Sequence, residues 1–144
     1  MANSIKNYLG KLTGWNQTTV NILGRDVVGI EEFEYNDATK KENTYGAGNM
    51  PIGWAEGNYE PKFSLTLYVE EEQAIQRALP PGKRLQDIAP FDAIVQYAHP
   101  ESGMIVTDII HNCQFLGRAK SGKNNEGKMV NKHEMLCSHI SWGV

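Results

Sequence analysis

The stretch that most constrains this chain runs from Tyr59 to Pro81. Phe63, Leu65, Leu67 and Val69 alternate with Ser64, Thr66 and Tyr68, the period of two that gives a strand one apolar face. The period then changes. Glu70, Glu71 and Glu72 suit the positive end of a helix, where unpaired backbone N–H groups favour carboxylates. Ala74, Ile75, Ala78 and Leu79 follow as a narrow apolar stripe at helical spacing, and Pro80-Pro81 stop the helix. The spacing thus predicts a strong strand feeding one short helix over about residues 70–79.

Elsewhere strand patterns dominate. Thr18 to Leu23 and Arg25 to Ile30 read as a strand pair with Gly24 in the turn, and the pattern continues through Phe33 and Tyr35. Ala93, Val95 and Tyr97 alternate in a further strand. His99 to Gly103 supplies turn residues, and Met104 to Phe115 returns, with an irregularity expected at the adjacent apolar pair Ile109-Ile110. Met129 to Trp142 reads as one long final strand. One of its faces carries Val130, Leu136, Ile140 and Trp142; the other carries Asn131, His133, Cys137 and His139. Two segments read as long loops, 36–53 and 117–128, and residues 1–16 as an N-terminal arm. The expected fold is mainly β, a β-sandwich or small barrel with one short helix, in a single domain over 1–144. A chain of 144 residues matches the ~100–200 residues of one ordinary domain.

Composition removes several classes. Hydrophobic content of 40% and charged content of 22% are those of a folded globular chain. No apolar run approaches the ~20 residues of a membrane-spanning helix. The start, Met-Ala-Asn-Ser-Ile-Lys, lacks the pattern of a secretory signal. Two cysteines, Cys113 and Cys137, make no disulfide framework. The formal net charge of −3 argues against sequence-specific nucleic-acid binding. That charge is uneven, acidic in the first half and slightly basic in the second. The halves are either two solvated faces or complementary surfaces that set the register of copies.

Catalytic and cofactor motifs are missing from the sequence. Gly46-Ala-Gly48-Asn-Met-Pro51 lacks the third glycine and the strand–turn–helix setting of a dinucleotide fingerprint. The one arrangement with metal-ligand chemistry is His111-x-Cys113 with Cys137-x-His139. Residues two apart on a strand share a face but stand about 6.6 Å apart. Tetrahedral zinc wants its ligand atoms within ~2.0–2.3 Å of the ion. The plainer reading is two buried cysteines beside hydrogen-bonded histidines. No cofactor is expected. Trp15, Trp54 and Trp142 lack interleaved basic residues and read as core or interface anchors.

Several large apolar residues fall in segments with no strand or helix pattern of their own. Tyr8, Leu9 and Leu12 lie in the arm, and Tyr45, Met50 and Ile52 near the tip of the first loop, with Trp54 just beyond. Apolar groups in a long connection point to docking on a partner. With Arg118, Lys120 and Lys123 of the basic second loop, these are the candidate interface residues.

The layout as a whole resembles the tail tube proteins of tailed bacteriophages and the inner-tube proteins of contractile injection systems. The residues that carry the resemblance are the arm, the Phe63-Ser-Leu-Thr-Leu-Tyr-Val69 strand before a short helix, Pro90-Phe-Asp-Ala-Ile-Val95, and the final Ile140-Ser-Trp-Gly-Val144. The resemblance implies a non-enzymatic structural protein. It would assemble as hexameric rings, joined edge to edge and stacked into a hollow tube through which double-stranded DNA passes without sequence-specific contacts. Its implied partners are copies of itself, with tape-measure, tail terminator and baseplate proteins and a sheath in contractile tails. The implied location is the virion tail, assembled in the cytoplasm of a bacterial host. Ser64 and Thr66, on the polar strand face, are then candidates for the lumen. The alternatives are a baseplate, tail-completion or injection-system protein of the same fold, and a small metal-dependent β-barrel enzyme built on the His/Cys pairs.

Overall fold

The computed structural model describes residue 14 and residues 18–98, 103–124 and 127–144, without the side chain of Arg25. Tyr8, Leu9, Leu12 and Trp15 of the expected arm therefore lie outside the described residues, as do the central residues of the 99–103 turn. The fold is mainly β with one α-helix. Its strands are β1 (Thr18–Ile22), β2 (Arg25–Val27), β3 (Ile30–Tyr45), β4 (Pro51–Tyr68), β5 (Phe91–Ala98), β6 (Ile105–Phe115), β7 (Val130–Leu136) and β8 (His139–Ser141). The helix α1 (Val69–Arg77) follows β4 directly, and a short 3₁₀ turn covers Leu85–Asp87.

All pairings are antiparallel, in the order β2-β1-β5-β6-β7-β4-β3, with β8 beside β6. Among the described residues the sheet is open, ending at β2 and β3. Leu23 (φ 54) and Gly24 (φ 77) make the two-residue turn between β1 and β2; left-handed conformations at both positions match the twist of the flanking strands.

The two halves of the sheet meet on β6. Its first part pairs with β5 and β8, while Gln114 and Phe115 pair with β7. Between them Asn112 takes φ 57, and the register slips by one residue opposite Phe91 and Ala93. This bulge lies just beyond the Ile109-Ile110 position expected from sequence. It lets one strand serve two sheet segments that share a core. Val20, Ile22 and Val95 from one half pack with Phe63, Leu65 and Leu67 from the other, around Ile75 of α1 and Ile110.

The final strand differs from expectation in two ways. It breaks at Cys137 and Ser138 into β7 and β8, where Ser138 N donates to His111 O instead of continuing the ladder. Within β7 the buried face is also the one that carries Asn131 and His133. Asn131, His133, Met135 and Cys137 point inward, while Leu136 and Trp142 are exposed. The reason is the carboxylate of Glu72. Glu72 is fully buried and accepts hydrogen bonds from Asn131 Nδ2 at 2.8 Å and from Arg118 Nε. His133 stands edge-on to Phe115 with Nε2 3.5 Å from Glu72 Oε2, a long contact rather than a well-formed hydrogen bond. The acidic start of the helix, expected for its fit to the positive helix end, also supplies a polar centre that only inward-facing polar partners satisfy.

Candidate functional site

Residues 36–53 are not a loop. They form the far part of a β3–β4 hairpin whose strands are 16 and 18 residues long, against the ~5–6 residues of an average strand. The glycines, asparagines and proline of this segment read as loop chemistry, and only the pairing reveals the strands. Lys41 stands opposite Glu56, Asn43 opposite Trp54 and Thr44 opposite Gly53. The cross-strand Lys41–Glu56 charge pair is the signal by which the sequence discloses it. Gly57 permits close approach of the strands, since a Cβ there would lie 3.1 Å from Lys40 Cβ.

Every residue from 40 to 60 is exposed, so this half of the hairpin projects from the body. Besides Tyr59 at its base, it carries four large apolar side chains in solvent: Tyr45 (59% exposed), Met50 (73%), Ile52 (74%) and Trp54 (65%). Lys41 Nζ lies 5.8 Å from the centre of the Trp54 ring, and that cation–π contact covers only part of it. Among the described residues, β7 pairs with β4 only from Phe63 to Tyr68, and β3 has no strand on its outer side. The projecting ribbon thus presents two open edges, each a row of backbone donors and acceptors ready for another strand.

The base of the hairpin is fastened to the end of the chain. Asp37 Oδ2 accepts from Tyr59 Oη at 2.6 Å and from Trp142 Nε1 at 2.9 Å. These bonds, the Trp142 contact foremost, hold the Asp37 carboxyl below its ordinary value. Tyr59 Oη in turn accepts from Ile140 N at 3.2 Å. Burial, and then donation to Asp37, raises the Tyr59 phenol. Tyr35 donates to Asp108 Oδ2 at 2.6 Å; burial first and this bond second raise its phenol as well. Sequence reading did not single out Asp37, Tyr59 or Asp108, because their partners lie far along the chain.

The other candidate residues are dispersed. Ser64 and Thr66 lie half-buried on the outer face of β4. Ser64 stands between Glu34 and Glu134, and Thr66 between Glu32 and Lys132; Ser64 also lines a shallow polar groove with Lys62, Lys132 and Glu134. Arg118 is committed inside the subunit, to Glu72 and, through Nη1 at 2.8 Å, to Gln76 Oε1. It anchors the basic loop instead of offering its charge to a partner. Lys120 and Lys123 remain exposed on that loop.

The His/Cys residues separate by kind. His111 and His139 stack with ring centres 4.3 Å apart, each bonded to a serine, Ser141 and Ser138 respectively, at 2.9 Å. Cys113 and Cys137 turn into the core, where burial pushes the Cys113 thiol up to about 12. The bulge at Asn112 breaks the two-residue alternation that would have put His111 and Cys113 on one face. Among the described residues, no group of three or more His, Cys, Asp or Glu side chains is placed to hold a metal ion, and no helix is long and apolar enough to cross a membrane.

No family model matches the sequence, and no curated protein matches it. Solved structures do match the fold. The tube-terminating cap of the anti-feeding prophage superposes with a TM-score of 0.55 at 12% identity, covering 98% of this chain and 94% of that one. A chain of the extended sheath–tube complex of PVC, an extracellular contractile injection system, gives 0.54 at 11% identity, with 87% and 86% covered. A chain of the anti-feeding prophage baseplate gives 0.54 at 8% identity, with 96% of each covered. Over nearly its whole length, this chain has the fold found in cap, sheath–tube and baseplate structures of contractile injection particles.

Proposed function

We propose that this protein is a non-enzymatic structural subunit of a phage tail tube or of the related tube of an injection particle. Copies join edge to edge into hexameric rings, and the rings stack into a hollow tube. The observation that carries this reading is the projecting β3–β4 hairpin, with open strand edges and Tyr45, Met50, Ile52 and Trp54 in solvent. An isolated monomer gains nothing from such a feature, whereas a neighbouring copy buries it. Exposed Lys120 and Lys123 and the opposite-signed halves of the chain favour ring-on-ring contact. Ser64 and Thr66 lie on the polar face assigned to the lumen, where net negative charge repels passing double-stranded DNA. Tape-measure, terminator, baseplate and sheath proteins are the further partners in the virion tail, assembled in the cytoplasm of a bacterial host.

A second reading, a cap or baseplate component, is favoured by the match to those structures over almost their full length. Electron microscopy of the purified protein tests both. Stacked rings support the tube, and discrete single rings support the cap or baseplate component. A protein that stays monomeric at high concentration overturns the proposal.

A further inference from the structure

The last residues of the chain bond to both the hairpin and β6 beyond what strand pairing requires. Strand β8 ends at Ser141, yet each of the three residues after it is held. Trp142 Nε1 donates to Asp37. Gly143 N donates to Asp108 Oδ1 at 2.8 Å, and Val144 N donates to Thr107 O at 2.7 Å. Gly143 takes φ 61, a left-handed conformation that glycine adopts without strain. The Tyr35 ring lies against Trp142 with centres 5.3 Å apart.

Two carboxylates therefore each join the hairpin to the C-terminal segment. Asp37, on β3, receives Tyr59 from β4 and Trp142 from the C-terminus. Asp108, on β6, receives Tyr35 from β3 and Gly143 from the C-terminus. From residue 40 to residue 58 every hairpin residue is exposed. Some ten residues separate Asp37 from the tip, about 30 Å at the rise of a strand. A tilt of about 10° at the base therefore moves the tip by about 5 Å, roughly the spacing of adjacent strands.

We propose that the segment Ile140–Val144 is a latch, and that Trp142, acting through Asp37, is the residue that sets the direction in which the hairpin leaves the body. Engagement of a neighbouring copy then requires the latch to be closed. The inference rests on the assembly reading above for its consequence, but not for its structure.

The experiment uses the full chain with Trp142→Phe, which keeps an aromatic ring but removes the donor, and Asp37→Ala, which removes the acceptor of both bonds. Both positions are partly or largely solvent-accessible, and circular dichroism confirms folding. Amide exchange is measured at Ile140, Gly143 and the hairpin base, together with the protein concentration needed for assembly. The expected result is exchange at least tenfold faster at these amides, unchanged exchange at Leu65 and Ile110, and an assembly threshold raised by about tenfold. Unchanged exchange at the base overturns the latch. Faster exchange with an unchanged threshold overturns its link to assembly. If the unmodified protein never assembles, the proposed function fails, and exchange alone decides whether the latch exists.

Discussion

Asn131 Nδ2 donates to Glu72 Oε2 at 2.8 Å, inside the core. The same carboxylate receives Arg118 Nε, and Asn131 Oδ1 accepts Ser121 N at 3.2 Å. One buried side chain thereby ties α1, β7 and the basic loop together. Glu72→Ala removes the acceptor of Asn131 Nδ2 and the Nε acceptor of the mostly buried Arg118, which keeps its bond to Gln76. The expected cost is about 2–4 kcal/mol of stability, read from urea unfolding midpoints. A loss under about 0.5 kcal/mol would show that the three elements are held independently.

Gly29 is required by a close approach. A Cβ at this position would lie 2.7 Å from Glu71 Cβ, and Gly29 O accepts Tyr68 N at 2.9 Å where β4 enters the helix. Gly29→Ala is expected to destabilise by about 1–3 kcal/mol, because the helix start at the buried Glu71 must shift to admit the methyl group. Thermal unfolding beside Gly53→Ala, where nothing lies within 4 Å of the added Cβ, separates the clash from a general glycine effect.

The Asp37 carboxyl is held below its ordinary value of 3.8 by Trp142 and Tyr59. A lowered carboxyl favours the folded latch above the unfolded value and withdraws that contribution as pH falls through the folded one. As pH falls below that ordinary value, amides of the hairpin base and of Ile140 are therefore expected to lose protection relative to neutral pH. Asp37→Asn should show a smaller change over the same range, after correction for intrinsic exchange.

Cys113 and Cys137 are both buried, with their thiols raised chiefly by burial. Little thiolate forms near neutrality, and it is shielded. An aromatic disulfide reagent is expected to label both at the rate of unfolding, and within seconds in denaturant. Rapid labelling of the native protein would contradict the packing of β6 against β7 and β8.

The register places Thr39 opposite Tyr59. Replacing residues 40–58 with Asn-Gly therefore shortens the hairpin at a paired position and removes only exposed side chains. The variant is expected to fold with its core intact and to remain monomeric in sedimentation runs at concentrations where the full chain assembles. Loss of the fold would mean that the ribbon supports the core, which its exposure argues against.

Local pattern determined a good part of this protein. Alternation from Phe63 to Val69 and the change of period at Glu70 placed the end of β4 and the helix α1 within a residue or two. Gly24 marked the first turn, and the described residues of the basic segment 117–128 form no strand. These features are legible because each depends on neighbours a few residues away. Tertiary structure decided the rest. The projecting hairpin hides behind loop-like composition until Lys41 meets Glu56 and Asn43 meets Trp54. The inward face of β7 is set by Glu72, since a buried carboxylate draws Asn131 to a position where hydrophobicity alone would put Leu136. Asp37 and Trp142 acquire their roles only across a gap of 105 residues. Hydrophobic periodicity records which side of an element faces the core. It carries no record of which distant polar group will be waiting there, and that pairing is made only when the chain closes on itself.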